Sequence, residues 1–243
     1  MQSLCEKYFG MGKTANMPCA MTVAGSDSGA GAGIQADILA IAANGVYACS
    51  VVTALTAQNP DGVYGVLPAG PESVEAQMKA VADFYSPEAA KTGMLFDAQT
   101  VAAVAKFFKA NRKIKLVVDP VAVSTSGAKL LSDDAVEALK NSLIPISDLF
   151  TPNIDEAKML LGADTIEDTT DAAEALYKKF SAPVLLKGGH LEGDTVSDIF
   201  FGGGRPIIMT SRRIEGVNTH GSGCTLSAAI AANLAKGLPL ADA

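Results

Sequence analysis

Between Asn218 and Ala235 the chain reads NTHGSGCTLSAAIAANLA, which sets Gly221, Gly223 and Cys224 on the front of an alanine-rich stretch of helical character. A helix starting near Gly223 presents free backbone N–H groups and the positive end of its dipole, and glycine keeps side chains out of the way of a phosphate. The same field favours a thiolate, so Cys224 could serve as a base or nucleophile at neutral pH. An isolated cysteine there would be read as a small buried apolar residue; the glycines around it reverse that preference. Lys187 closes VLLK at a strand end, where an ammonium can meet phosphate as a point charge. His190 and His220 are the only histidines and sit in glycine-rich turns without a third ligand nearby, so they read as loop residues rather than a metal pair. A second glycine-rich turn, AGSDSGAGAGIQAD, runs from a strand into a helix and carries Asp37 on the helix's first turns. It is not a clean GxGxxG, and no GxxxxGK[ST] loop occurs, which argues against P-loop chemistry.

Positioning these residues requires strand ends, and the chain supplies them in alternation with helices. AMTVA (Ala20 to Ala24) reads as a buried strand, GAGIQADILAIAANG (Gly31 to Gly45) as a helix ended by its glycine, and YACSVVTAL (Tyr47 to Leu55) as a second strand. PESVEAQMKAVADF reads as a helix opened by proline, AAKTGM as a strand, DAQTVAAVAKFFKAN as a helix, KLVVDP as a strand closing on Asp119, and SDDAVEALKNSL as a capped helix. SDLFTP, NIDEAKMLLG, DAAEALYKKF and APVLLKGG follow as strand, helix, helix and strand, and DTVSDIFF with RPIIMT forms an antiparallel hairpin around FGGG. This rhythm predicts an α/β fold of three layers, α/β/α, with a mostly parallel sheet covered on both faces by helices. Ligands of such sheets bind at the carboxyl ends of the strands.

With 243 residues, 49% of them hydrophobic, the chain can close one large core. Residues 20–243 read as a single domain and 1–19 as a loose N-terminal extension. A formal net charge of −7 and the lack of any Lys/Arg run leave no footprint for nucleic acid or an anionic membrane, so a small-molecule partner is expected. Four scattered cysteines, Cys5, Cys19, Cys49 and Cys224, fit neither a disulfide framework nor a zinc site, and point to the reducing cytoplasm. No apolar run is long enough to span a bilayer.

NTHGSGCTLSAAIAA resembles the C-terminal signature of the ribokinase-like superfamily, and its cysteine form resembles hydroxymethylpyrimidine/phosphomethylpyrimidine kinases of thiamine biosynthesis; sugar kinases usually carry aspartate at the position of Cys224. AGSDSGAGAGIQADI, TALTAQN, KTGML, VVDPVAVSTSGAKLL, TPNIDEAKMLLG and VLLKGGH agree in order and spacing, from about Ala20 to Ala243. The resemblance implies that Gly25, Ala32, Asp37 and Gln58 form the pyrimidine pocket, with Met94 and Val121 as apolar walls. It implies that Asp119, Asn153 and Glu156 organise Mg²⁺, partly through water, around the phosphates of ATP. On the residues alone Glu156 would read as an ordinary exposed helix position. The backbone of Gly221 to Cys224, with Lys187, would stabilise the transferring phosphoryl group, Cys224 would accept the hydroxyl proton, and the protein would be a homodimer. The sequence departs from the family at Ala122, where methionine is common, and in ending at LPLADA, where relatives continue into a further helix. Pyridoxal kinase of the same superfamily is the nearer alternative. A thiol hydrolase pairing Cys224 with His220 or His190, and a non-catalytic vitamin-binding protein, are the remote ones.

Overall fold

The computed structural model describes residues 17–59, 61–122, 131–189, 194–217 and 219–243. Within them the chain runs β1 (Cys19–Asp27), α1 (Gly33–Ala43), β2 (Tyr47–Asn59), β3 (Gly62–Pro68), α2 (Pro71–Tyr85), β4 (Ala89–Thr92), α3 (Ala98–Ala110) and β5 (Lys115–Val118). It continues through α4 (Asp133–Ala138), β6 (Leu149–Phe150), α5 (Ile154–Leu161), α6 (Thr169–Phe180), β7 (Val184–Leu186), β8 (Thr195–Phe201), β9 (Ile207–Arg212) and α7 (Ser222–Ala235). The nine strands form one sheet in the order β3-β2-β1-β4-β5-β6-β7-β8-β9. The six central strands from β2 to β7 are parallel, and β3, β8 and β9 add antiparallel pairs at the two edges. The chain leaves β1 to one side for β2 and returns on the other side for β4, so the strand order switches at β1, next to the crevice where α/β sheets place ligands.

Two cores hold the layers. On one face α2, α3, α5 and α6 cover larger side chains, including the fully buried Phe108, Phe150, Leu160 and Leu176; each such side chain stabilises by roughly 1.5–3 kcal/mol relative to exposure. On the other face α1 and α7 lie on a layer rich in alanine, including Ala20, Ala40, Ala89, Ala228 and Ala231, whose short side chains let the helices sit close to the strands. Several ends are fixed by local chemistry. Gly45 follows α1 at φ +74°, Asp97 accepts from the Thr100 amide at the start of α3, and Asp168 accepts from the amides of Thr170 and Asp171 at the start of α6.

The structure corrects four local expectations. Cys19, assigned from sequence to the extension, opens β1: its amide donates to Glu88 and its sulfur packs 3.6 Å from that of Cys49. The first helix begins at Gly33 rather than Gly31, because the intervening residues wrap Asp27. The segment 132–143 is not one capped helix: α4 ends at Ala138 and passes into a wide π turn over Leu139–Leu143, and Ser132 makes no side-chain cap. β3 has no counterpart in the sequence reading; it is an exposed edge strand carrying Gly62 and Gly65, whose stability comes from pairing with β2 rather than from its own pattern.

Candidate active site

Side chains alternate across a strand, so residues two apart share a face. On the α1/α7 face the apolar residues Ala20, Ala89, Val117, Leu149 and Leu185 are each followed, two positions on, by a polar one: Thr22, Lys91, Asp119, Thr151 and Lys187. The result is an oblique polar row that starts at Thr22 in the middle of β1 and runs along the carboxyl ends of β4, β5, β6 and β7, and α1 and α7 complete it with Asp37, Cys224 and Ser227. Lys91 and Asp37 are completely buried and paired, Nζ to Oδ1 at 2.9 Å and to Oδ2 at 3.0 Å, and the Thr22 hydroxyl donates to Oδ2 at 2.5 Å. Farther along, Lys187 Nζ lies 3.0 Å from Asp119 Oδ1, Thr151 Oγ1 donates to the same oxygen, and Ser227 Oγ donates to Oδ2 at 3.2 Å.

The charges of the row set one another's ionisation. Burial pushes Asp119 up, but Lys187 and Lys91 outweigh it and hold its carboxyl below the usual range. Burial pushes Lys187 down, and the charges of Asp119 and Glu156 more than reverse it. Glu156 is pushed up to about 7, first by burial and then by Asp119, against the pull of Lys187 and of the Asn153 and Ala122 amides. Cys224 is raised: desolvation dominates, Asp119 and Asp37 add to it, and Lys91 with the Gly33 amide opposes them. At neutral pH the group is therefore a thiol. Loss of water and the Asp119 and Asp37 carboxylates thus push the thiol in the direction opposite to the thiolate expected from the helix terminus, and outweigh Lys91 and the Gly33 amide.

Asn153 and Glu156 are joined differently from the sequence reading. Asn153 Oδ1 accepts from the Glu156 amide at 2.9 Å and Glu156 Oε2 accepts from the Asn153 amide at 2.8 Å, a reciprocal capping box at the start of α5. Glu156 is buried, not an exposed helix residue. The Asn-x-x-Glu spacing is itself a capping-box signature, which the sequence reading does not use.

The turn after β1 is folded around one carboxylate. Asp27 Oδ1 accepts from Gly29 N, and Oδ2 from Gly31 N, Ala32 N and His220 Nε2. Gly33 has φ +59°, and a side chain there would run into the Gly25 carbonyl. Ser28 ties this turn to Gln58, its hydroxyl donating to the Gln58 carbonyl at 2.7 Å and accepting from the Gln58 amide at 2.8 Å.

A cavity of about 820 Å³ opens over these strand ends. It brings together Ala32, Gln58, Asp119, Val121, Asn153, Glu156, Lys187, Gly221, Gly223 and Cys224, with His220 also in its wall. Gly25, Asp37 and Met94 do not line it. Asp37 is spent on Lys91, and Met94 is buried against Gly25, where an added Cβ would lie 2.7 Å from Met94 Cε. These three belong to the layer beneath the pocket in this conformation. His190 lies outside the described residues. The cavity also includes Asp155, Met159, Val196, Asp198 and Leu226, which sequence reading does not single out; their ordinary types in helix and strand give no signal.

A sequence profile of the phosphomethylpyrimidine kinase family matches residues 27–243. The hydroxymethylpyrimidine/phosphomethylpyrimidine kinase of Rhizobium meliloti (strain 1021) is 48% identical over 227 residues, covering 92% of this chain and 85% of the relative. The crystal structure of phosphomethylpyrimidine kinase from Clostridium difficile 630 superposes with a TM-score of 0.80 at 37% identity, covering 93% of this chain and 94% of the other. An ADP complex of Bacillus subtilis pyridoxal kinase superposes with a TM-score of 0.84 at 33% identity, covering 93% and 86%. Shape alone thus does not separate the two kinases. Profile and identity do: with the family profile matched over residues 27–243 and 48% identity to the Rhizobium meliloti enzyme, the chain belongs to the phosphomethylpyrimidine kinase family of ribokinase-like enzymes.

Proposed function

We propose that the chain transfers the γ-phosphoryl group of ATP to the 5-hydroxymethyl group of 4-amino-5-hydroxymethyl-2-methylpyrimidine, and then to the resulting monophosphate. The observation that carries this reading lies at Gly223. A Cβ there would sit 3.1 Å from Lys187 Nζ and 3.9 Å from Asp119 Oδ2, so glycine keeps an ammonium, a carboxylate and the first amides of α7 facing one open space. That is a seat for a phosphoryl group: the amides and Lys187 stabilise its charge where it develops, and most of the catalysis of such transfers is positioning and electrostatics. Gln58, whose side-chain amide can both donate and accept, also lines the cavity and matches a ring nitrogen beside an exocyclic amine.

The donor set suits a magnesium ion that keeps most of its water. Asp119 would hold it by a carboxylate that also accepts from Lys187, Thr151 and Ser227, Glu156 and Asn153, joined in the cap of α5, would reach it through water, and among the described residues no group of three or more His, Cys, Asp and Glu side chains could hold a metal directly. When bound, Mg²⁺ would neutralise charge on the phosphate oxygens. Cys224, as a thiol at the cavity wall, orients the acceptor hydroxyl. A loose transition state does not need a strong base, so the proton is released late, to the fraction of Cys224 that is ionised. The homodimer is part of this reading. Leu55, Tyr64 and Leu67, exposed on the β2–β3 edge, offer apolar area for a second copy, and sedimentation equilibrium tests it.

A coupled ADP assay run side by side with hydroxymethylpyrimidine, its monophosphate and pyridoxal tests the assignment. Turnover with both pyrimidines is expected, and Gln58→Leu should weaken pyrimidine binding by about 1–3 kcal/mol with ATP binding little changed. The superposition on pyridoxal kinase favours pyridoxal as a second substrate. Higher kcat/KM for pyridoxal than for the pyrimidine would replace the main reading with that one.

A further inference from the structure

The two glycine-rich turns of the cavity come from opposite ends of the chain, yet they touch. His220 Nε2 lies 3.1 Å from Asp27 Oδ2 across 193 positions of sequence. Gly31 has no side chain where the His220 ring packs; a Cβ there would lie 2.6 Å from His220 Cδ2. Gly221, at φ +80°, packs so closely on the Gly31 carbonyl that any side chain would overlap it. Asp27 is 2% exposed and the His220 side chain 12%, so the contact is sheltered from water. Burial pushes Asp27 up, but the hydrogen bonds from His220, Gly29 and Ala32 outweigh it and keep the carboxylate charged. The same turn reaches Gln58 through Ser28.

We infer that Asp27 and His220 are positioning residues: their contact clasps the Asp27–Ala32 turn, which adjoins the acceptor's end of the cavity, onto the Gly221–Cys224 turn that receives the phosphoryl group. This rests on the proposed role of Gly221–Cys224. Asp27 does not line the cavity, and His220, which does, holds its Nε2 on Asp27. All the acceptor positions that Asp27 uses are taken by three amides and the imidazole, and His220 directs Nε2 at Asp27 rather than at the cavity. The clasp fixes the distance between acceptor hydroxyl and phosphoryl group, and a misplacement of about 1 Å in such a pair costs on the order of 10²-fold in rate. Glycine at 31 and 221 is what allows the two backbones to meet.

The test compares His220→Ala, which removes the hydrogen bond, with His220→Gln, whose amide nitrogen can stand in for Nε2, and with Gly31→Ala, which presses a methyl group against the ring. Steady-state kinetics with hydroxymethylpyrimidine and ATP are measured beside hydrogen–deuterium exchange of the 219–226 segment. His220→Ala and Gly31→Ala should lose kcat by roughly 10²-fold with pyrimidine KM changed little, and exchange at 219–226 should accelerate. His220→Gln should recover most of both. A folded His220→Ala enzyme with wild-type kcat and wild-type exchange overturns the clasp, as does a glutamine variant no better than alanine. A wild-type protein that leaves pyrimidine unphosphorylated overturns the proposed function instead, and the exchange rates then decide the clasp alone.

Discussion

Replacing Lys91 by methionine removes an ammonium that is completely buried and leaves the equally buried Asp37 carboxylate with only the Thr22 hydroxyl. Removing one partner of a buried, hydrogen-bonded pair costs about 3–5 kcal/mol, because the remaining charge has neither water nor counter-charge. In a domain of this length each kcal/mol moves the melting temperature by about 2–4 °C, so Lys91→Met should melt roughly 6–20 °C lower. Asp37→Asn should fall by a similar amount. The combination Thr22→Val, Asp37→Leu and Lys91→Met removes both charges and the orphaned hydroxyl, and should recover most of the loss. Thermal unfolding followed by circular dichroism at pH 7 reads all three. Lys91 also opposes the raised pKa of Cys224, so in folded Lys91→Met the thiol should react more slowly with iodoacetamide at pH 8. Single variants that melt within about 2 °C of wild type would refute the view that this pair carries a large uncompensated cost when broken.

Four further outcomes can be checked. With a raised thiol, kcat of the wild type should keep climbing through and beyond pH 9, the ordinary cysteine value, whereas Cys224→Asp should be active and flat near pH 7. Cys224→Ala should fold but lose about 10²–10⁴-fold in rate, and full activity of that variant would remove the residue from the chemistry. The Asp27 carboxyl is held low in the folded state, so its contribution to stability is present above the ordinary 3.8 and is lost as pH falls through the folded value. Asp27→Asn should therefore be less stable than wild type at pH 7, with the gap closing in urea titrations below about pH 4. Thr92 has a buried hydroxyl with no hydrogen-bond partner among the described residues. Thr92→Val should raise unfolding free energy by about 1 kcal/mol, since an apolar group of the same shape removes a desolvation penalty, and a loss of that size would point to an unseen partner.

The sequence by itself determined the layering, because repeated apolar runs and amphipathic segments admit few arrangements other than a parallel sheet between helices. It also determined the turns: Gly33, Gly45 and Gly221 all occupy left-handed backbone, and a glycine next to a strand end or helix end is a local signal. Motif order was enough to bring Gln58, Asp119, Lys187 and Cys224 to one expected site, and the cavity contains all four. The ionisation of that site was not legible. Cys224 at a helix start reads as a thiolate until burial and the carboxylates of Asp119 and Asp37, far away in sequence, are placed beside it. Asp37 and Lys91 read as one pocket residue and one motif lysine until the registry of β1 and β4 and the packing of α1 bury them against each other. Asp27 and His220 gave no sequence signal as partners, since nothing local links residues 193 positions apart. Local pattern reports what a residue does to its own backbone, whereas desolvation and charge pairing depend on neighbours that only the folded sheet supplies.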